Sequence, residues 1–151
     1  MSAGSANIVV HRPTEEVWRA LTDVTRMGEW SPECTGGRWV DATGPAMGAR
    51  FEGDNEAKVA GRTVKRWTTT SEVTACEPGR VFEFVAEGYT TWRYQLDAAG
   101  ADTRVTESFH YEPHGMQRFV YETLLRRSKA MTKGMGRTLA RLKASLEDNG
   151  S

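Results

Sequence analysis

The first thirty residues show a short apolar run followed by two stretches with helical spacing. Residues 7–11, Asn-Ile-Val-Val-His, have the composition of a short strand, which Pro13 ends. Thr14 is placed to cap a helix with one apolar face, which comprises Val17, Trp18 and Leu21. Asp23 is placed to cap a second short helix that ends near Trp30. The pattern therefore predicts one strand and then two short helices.

Between Gly36 and Tyr111, apolar and polar residues alternate in short runs separated by turn residues, as is typical of strands. Six further strands are expected, at residues 38–41, 49–56, 64–75, 80–86, 91–98 and 103–111. The connections are too short for helical crossovers, so the sheet should be antiparallel.

Helical spacing returns from Met116 to about Leu146. One side of this helix is mainly apolar: Val120, Leu124, Met131, Gly134, Met135, Thr138, Leu139, Leu142 and Leu146. Residues 115–146 carry eight Lys and Arg residues against one acid, Glu122. That basic face is either solvated or a contact for a lipid headgroup, an acidic partner or nucleic acid. The whole pattern predicts an α+β fold with the apolar face of the helix against the sheet.

Composition narrows the class of protein. The 151 residues hold 20 basic and 20 acidic side chains, which argues against nucleic acid as a partner of the whole protein. Apolar runs fall short of the ~18 residues that cross a bilayer, and the first residues do not resemble a secretion signal. Cys34 and Cys76 lack metal-site spacing and suggest free thiols. We expect a cytoplasmic domain at residues 6–147, with flexible tails at 1–5 and 148–151.

Short motifs over about 140 residues resemble one superfamily. They are Val17-Trp18 with Leu21 and Asp23, Trp30-Ser31-Pro32-Glu33, Gly48, Phe51, Gly53, Asn55, Trp67, Val73, Pro78-Gly79-Arg80 with Phe82 and Phe84, Trp92, Tyr94, Val105-Thr106-Glu107-Ser108, and Gly134-Met135 with Leu139 and Leu142. In order and spacing they resemble the START-like (SRPBCC) superfamily, in its polyketide cyclase/dehydrase-like branch. The resemblance implies a helix-grip (START/Bet v 1-like) fold, in which a curved seven-stranded antiparallel sheet surrounds a long C-terminal helix. Members of that superfamily mostly hold hydrophobic or amphipathic small molecules between sheet and helix.

Strand alternation predicts which side chains face the final helix. The inward rows are Trp92, Tyr94 and Leu96; Trp67, Thr69, Ser71 and Val73; Phe82 and Phe84; and Val105, Glu107, Phe109 and Tyr111. Arg93 and Gln95 should point away from the helix. A hydrophobic ligand would then have mainly apolar walls, from Trp67, Phe84, Trp92, Tyr94, Phe109, Met131 and Met135.

Glu107 is the carboxylate of its inward row. A buried glutamate is costly unless it is hydrogen-bonded or paired, and burial raises its pKa. It is therefore either a ligand contact or general acid/base, or a structural partner of a nearby Arg or Thr. Arg127 either reaches into the cavity or turns outward to solvent. Asn55 and Glu33 either line the pocket mouth or serve turns and caps.

The sequence gives little support for a metal site, a phosphate-binding loop or a catalytic serine. His110 and His114 have a spacing suited to metal on a helix, but Pro113 and the strand pattern break that geometry. Neither a phosphate-binding loop nor a Gly-x-Ser-x-Gly elbow is present. We therefore expect no metal and no cofactor.

Three functions remain open. The first is a binding protein for a lipid or polyketide-like small molecule. The second, implied by the resemblance, is an aromatase/cyclase- or dehydratase-type enzyme with Glu107 as acid/base. The third is an interaction module resembling the Hsp90-ATPase activators. The sequence leaves the ligand and the oligomeric state open.

Overall fold

The computed structural model describes the backbone of residues 2–31, 34–40, 44–88, 90–111 and 118–149, and the side chains of residues 3–31, 34–40, 44–88, 90–110 and 132–147. Its strands are β1 (Ser2–Val10), β2 (Cys34–Trp39), β3 (Arg50–Val59), β4 (Arg62–Glu77), β5 (Val81–Ala86), β6 (Thr90–Ala99) and β7 (Asp102–Tyr111). Its helices are α1 (Thr14–Thr22), α2 (Met27–Trp30) and α3 (Arg118–Asn149), with a 3-10 turn at Val24–Arg26.

The seven strands form one antiparallel sheet in the order β1-β7-β6-β5-β4-β3-β2. Strands β1 and β2 follow each other in the chain but lie at opposite edges of the sheet, and α1 and α2 connect them. This arrangement confirms the predicted seven-stranded sheet, the two short helices after the first strand and the long C-terminal helix.

The start of the first strand was predicted wrongly. It begins at Ser2 instead of Asn7, and residues 2–5, expected as a tail, pair with β7. These residues have no apolar alternation, and at Gly4 there is no room for a side chain where α3 passes. A Cβ atom added at Gly4 would lie 2.5 Å from Thr132 Oγ1 and 2.6 Å from the Phe109 ring. At the other end of the chain, α3 continues to Asn149.

One of the two helix caps predicted from the sequence is confirmed and the other is wrong. Helix α1 starts at Thr14 itself and follows Pro13, and no side chain caps it, so the capping role expected of Thr14 is wrong. Asp23 is a cap as predicted, because its side chain accepts a hydrogen bond from the backbone N–H of Thr25. The acidic first turn of α1 favours the positive end of the helix dipole.

Two clusters of buried side chains divide the interior. The first joins the C-terminal part of α3 to α1, α2, β1, β6 and β7, and contains Leu139, Leu142, Leu146, Val10, Val17, Ala20, Leu21, Trp30, Leu96 and Val105. The second joins the 3-10 turn to strands β3, β4 and β5, and contains Val24, Ala49, Phe51, Val73, Phe82 and Phe84. Tyr94 and Trp18 pack against both clusters.

The face of the sheet that carries these clusters is called the helix side below. Cross-strand pairs place the predicted inward rows on it, since Phe84 pairs with Trp92, and Leu96 pairs with Val105. On the opposite face, Arg93 binds Glu83 with a nitrogen–oxygen distance of 3.1 Å. The predicted inward and outward assignment of β6 is thereby confirmed.

Two neighbouring glycines in β2 test how tightly this edge packs. A Cβ at Gly37 would lie 2.8 Å from the Val24 carbonyl oxygen and 2.9 Å from that of Glu52, whereas a Cβ at Gly36 would meet nothing within 4 Å. We expect Gly37→Ala to lower the free energy of unfolding by about 2 kcal/mol, because backbone atoms must move. Gly36→Ala should change it by less than about 0.5 kcal/mol. Urea unfolding measures both, and equal effects would contradict the packing described.

Candidate functional site

A phenol and a carboxyl group face each other on the helix side of β6 and β7. Tyr94 lies directly opposite Glu107 in the strand register, and its hydroxyl donates a hydrogen bond to Glu107 Oε2 over 2.7 Å. The two strands are joined by a two-residue turn, Gly100-Ala101, which fixes this register. The pair is therefore held by the backbone of a hairpin.

Glu107 is buried, with 3% of its surface exposed. In the described part of the chain no cation lies within ion-pair distance of it, and its Oε1 is buried without a hydrogen-bond partner. Burial raises the pKa of Glu107 from its ordinary 4.5 to about 7, and the hydrogen bond from Tyr94 opposes that rise in part. Near neutral pH this carboxyl can therefore either donate a proton at Oε1 or accept a hydrogen bond there.

Tyr94 stays protonated. Burial, the charge of Glu107 and the hydrogen bond to it raise the tyrosine pKa well above its usual value, and the charge of an ionised Cys34 would add to this. The phenol is therefore a hydrogen-bond donor that is already used on Glu107. Sequence reasoning placed both residues in inward rows but missed the pairing; the length of the Gly100-Ala101 turn was the signal that would have predicted it.

Aromatic side chains line this face. Trp92 lies 5.7 Å from Phe109 between ring centroids, and Phe84 contacts Phe51 at 4.9 Å. Phe84 and Phe109 are almost fully buried, whereas Trp92 remains half-buried on the same face. These rings form an aromatic face on the helix side of the sheet.

Trp67 and Asn55 lie at the far end of the same face, opposite each other on β4 and β3. Both are half-buried. The Asn55 amide nitrogen donates to the Gly53 carbonyl oxygen over 3.1 Å and to Thr69 Oγ1 over 3.3 Å. This amide thus ties the two strands together, which gives Asn55 a structural role besides the ligand contact expected of it.

Cys34 belongs to the same face, although the sequence gave it no role. It pairs with Asn55 across the strands and is buried, and its thiol donates to the Gly36 carbonyl oxygen over 3.1 Å. Neither Cys34 nor Cys76 takes part in a disulfide bond. Burial raises the pKa of the half-buried Cys76 thiol, which keeps it protonated.

Several predicted site residues lie outside the described side chains: Arg127, Met131, Glu33 and His114. Tyr111 is placed only as part of β7. Met135 is described and is fully buried on α3. Within the part of the chain whose side chains are placed, no three His, Cys, Asp or Glu residues are grouped as a metal site.

The apolar face of α3 is confirmed where its side chains are described. Met135, Thr138, Leu139, Leu142 and Leu146 are buried, while Lys133, Arg137 and Arg141 are exposed. Among the described helices none is long and apolar enough to span a bilayer.

A sequence model of the family described as polyketide cyclase/dehydrase and lipid transport matches residues 1–147. The polyketide cyclase-like protein Cgl2372 from Corynebacterium glutamicum is 33% identical, with a TM-score of 0.68 over 96% of this chain and 91% of its own. No curated protein matches the chain significantly.

Two more distant structures share the fold. Protein NE0264 from Nitrosomonas europaea is 14% identical, with a TM-score of 0.76 over 99% of this chain and 96% of its own. The di-domain ARO/CYC protein BexL of the BE-7585A biosynthetic pathway is 18% identical, with a TM-score of 0.75 over 97% of this chain and 47% of its own. At these identities the similarity shows the helix-grip fold alone.

The raised pKa of Glu107 predicts how stability depends on pH. Between its ordinary value of 4.5 and about 7 the folded state holds more protons than the unfolded state, so stability falls as pH rises through this window. Glu107→Gln removes the titration. The difference in unfolding free energy between this variant and wild type should therefore shift by about 3 kcal/mol in favour of the variant when the pH is raised from 4 to 8. Urea unfolding at both pH values measures the difference.

Two controls make the result specific. Glu72→Gln makes the same substitution at an exposed position on the outer face of β4 and is the matched control. If Glu107 is instead paired with Arg127, Glu107→Gln should cost about 3–5 kcal/mol, and adding Arg127→Gln should restore much of it. That result would show that Glu107 is not unpaired and forms a structural ion pair with Arg127.

Proposed function

Because the chain belongs to the polyketide cyclase/dehydrase and lipid transport family, we propose that it binds a hydrophobic or amphipathic small molecule between the helix side of the sheet and α3. The observation that carries this proposal is Glu107, a buried carboxyl with an unpartnered oxygen on an aromatic face. An unsatisfied buried oxygen costs about 1–3 kcal/mol, which a ligand hydrogen bond would offset.

The apolar part of the ligand would contact the aromatic wall. Trp92 and Trp67 supply partly accessible rings on the helix side, and Phe109 supports Trp92 from the next strand. Aromatic and apolar walls with few polar groups are the usual lining of a small-molecule site. In this proposal the wall gives affinity, and Glu107 orients the ligand.

The polar part of the ligand would meet Glu107 Oε1. Since Tyr94 already donates to Oε2, the second oxygen is the one left for a ligand. Protonated, it donates to a carbonyl; ionised, it accepts from a hydroxyl group. A carboxylate ligand would be repelled by ionised Glu107. Neutral ligands that carry one oxygen substituent therefore suit this group best.

A pair of probes that differ in one hydroxyl group tests this. We expect 2-naphthol to bind about tenfold more tightly than naphthalene, since one buried hydrogen bond is worth about 1.4 kcal/mol. Glu107→Met keeps the approximate size of the side chain but removes both oxygens, so the preference should disappear while naphthalene still binds. Isothermal titration calorimetry gives both affinities.

Glu72→Met provides the matched control, because it makes the same change on the outer face of β4 and should keep the preference. A native mass spectrum of the protein as purified would add the mass of any retained ligand. If neither probe binds at micromolar concentrations, the interior is closed, and the alternative of an interaction module would replace the binding protein.

An enzymatic role is the second candidate, and the pKa of Glu107 near 7 is the observation that favours it. A carboxyl poised near neutral pH can transfer protons in a cyclisation or dehydration. The ARO/CYC protein BexL shares the fold, and its name links that protein to a biosynthetic pathway. The proposed chemistry requires positioning and proton transfer, and no nucleophile.

A pH profile distinguishes catalysis from binding. With a β-hydroxy ketone as a dehydration substrate, the rate of general-acid catalysis by Glu107 should fall tenfold per pH unit above about pH 7, because the protonated fraction falls. Glu107→Gln should lose this rate without losing affinity for the substrate. Equal rates in wild type and variant would assign Glu107 to binding alone.

A further inference from the structure

The hairpin of β3 and β4 extends beyond the rest of the sheet. Strand β2 pairs with β3 only from Phe51 to Asn55, and β5 pairs with β4 only from Ser71 to Glu77. Past these pairs, β3 and β4 bond only to each other, as far as the turn at Ala60 and Gly61. Both turn residues have positive φ, 53° and 80°, as in a tight two-residue hairpin turn.

The part of the β3–β4 hairpin that extends beyond the sheet is called the ribbon, and its end combines exposed apolar residues with cations. Residues 57–65, called the ribbon tip below, read Ala-Lys-Val-Ala-Gly-Arg-Thr-Val-Lys and contain no acid. Val59 and Val64 are 64% and 62% exposed. Lys58, Arg62 and Lys65 are exposed as well. The tip thus has a charge of +3 on a chain whose net charge is zero.

Nearer the body of the sheet, acidic residues form ion pairs with the basic side chains, whereas the ribbon tip has no acid. Arg66 binds Glu56 over 3.0 Å, and Arg38 binds both Glu52 and Asp54. Among the described ion pairs none involves the three cations of the tip; Lys65 instead lies over the Trp67 ring, 5.3 Å from its centroid. The positive charge is therefore concentrated where the valines are exposed.

We propose that the ribbon tip docks on an anionic lipid bilayer, with Val59 and Val64 entering the interface and Lys58, Arg62 and Lys65 contacting the headgroups. Basic residues near an anionic surface and apolar residues at its boundary are the two contributions that hold peripheral proteins on membranes. Nucleic acid would use the cations but would leave the valines in water. Docking would also bring Trp67 and Asn55, at the base of the ribbon, close to the lipid.

Co-sedimentation with lipid vesicles tests this without any bound ligand. The protein should sediment with phosphatidylcholine vesicles that contain about 30% phosphatidylserine, at about 100 mM salt, and much less with pure phosphatidylcholine. Lys58→Glu with Arg62→Glu should lower the partition coefficient at least about tenfold. Val59→Ser with Val64→Ser keeps the charge and should lower it several-fold.

The basic face of α3 provides the matched control. Lys133→Glu with Arg137→Glu makes the same change in charge at two exposed residues and should alter binding less than about twofold. Loss of binding in this variant but not in the tip variants would overturn the proposal and place the site on α3.

Two further outcomes would also contradict membrane docking. One is the absence of sedimentation with anionic vesicles. The other is binding that the valine variant retains and that double-stranded DNA displaces, which would assign the tip to a polyanion. Circular dichroism melts confirm that each variant folds; should the Glu variant unfold, Lys58→Gln with Arg62→Gln replaces it, with about a tenfold loss expected.

Discussion

The hydrogen bond from Tyr94 to Glu107 crosses the boundary between the two halves of the interior. On one side, the C-terminal part of α3 covers β1 and its neighbours with leucine side chains. On the other, the aromatic groups of β3 to β5 pack beneath the 3-10 turn. Tyr94 contacts both clusters, so its position depends on the packing of each. A carboxyl can remain in this apolar setting because the phenol satisfies one of its two oxygens.

That arrangement explains how the fold can hold a buried carboxyl group at a tolerable cost in stability. The other buried polar side chains in the described part of the chain are hydroxyls of Ser and Thr. They carry no charge, and Thr103, for example, donates to the Arg12 carbonyl oxygen. Glu107 differs because its ionised form is disfavoured by burial. Such groups are concentrated at functional sites, where a ligand or a proton transfer uses them.

Which side chains face the helix could largely be predicted from the sequence, because the direction of a strand side chain depends on period-two alternation. The inward rows of β4 to β7 follow directly from it, and so does the position of Glu107 among apolar neighbours. The start of β1 could not be predicted, because Gly4 is set by the close approach of α3, a contact between distant parts of the chain. The position of Cys34 on the helix side could not be predicted for a similar reason, since Asn55 is brought opposite it only by the pairing of β2 with β3.

The protonation state of Glu107 in the folded protein tests most directly whether this carboxyl is buried without a cation partner. Carbon-13 NMR of the glutamate side-chain carboxyl groups, assigned by comparison with Glu107→Gln, follows the titration of this one residue. For a buried carboxyl without a cation partner, the midpoint of Glu107 in the ligand-free protein should lie near pH 7. A midpoint at or below its ordinary value of 4.5 would show a carboxylate stabilised by a cation or by further donors, and would contradict an unpaired carboxyl facing a ligand site.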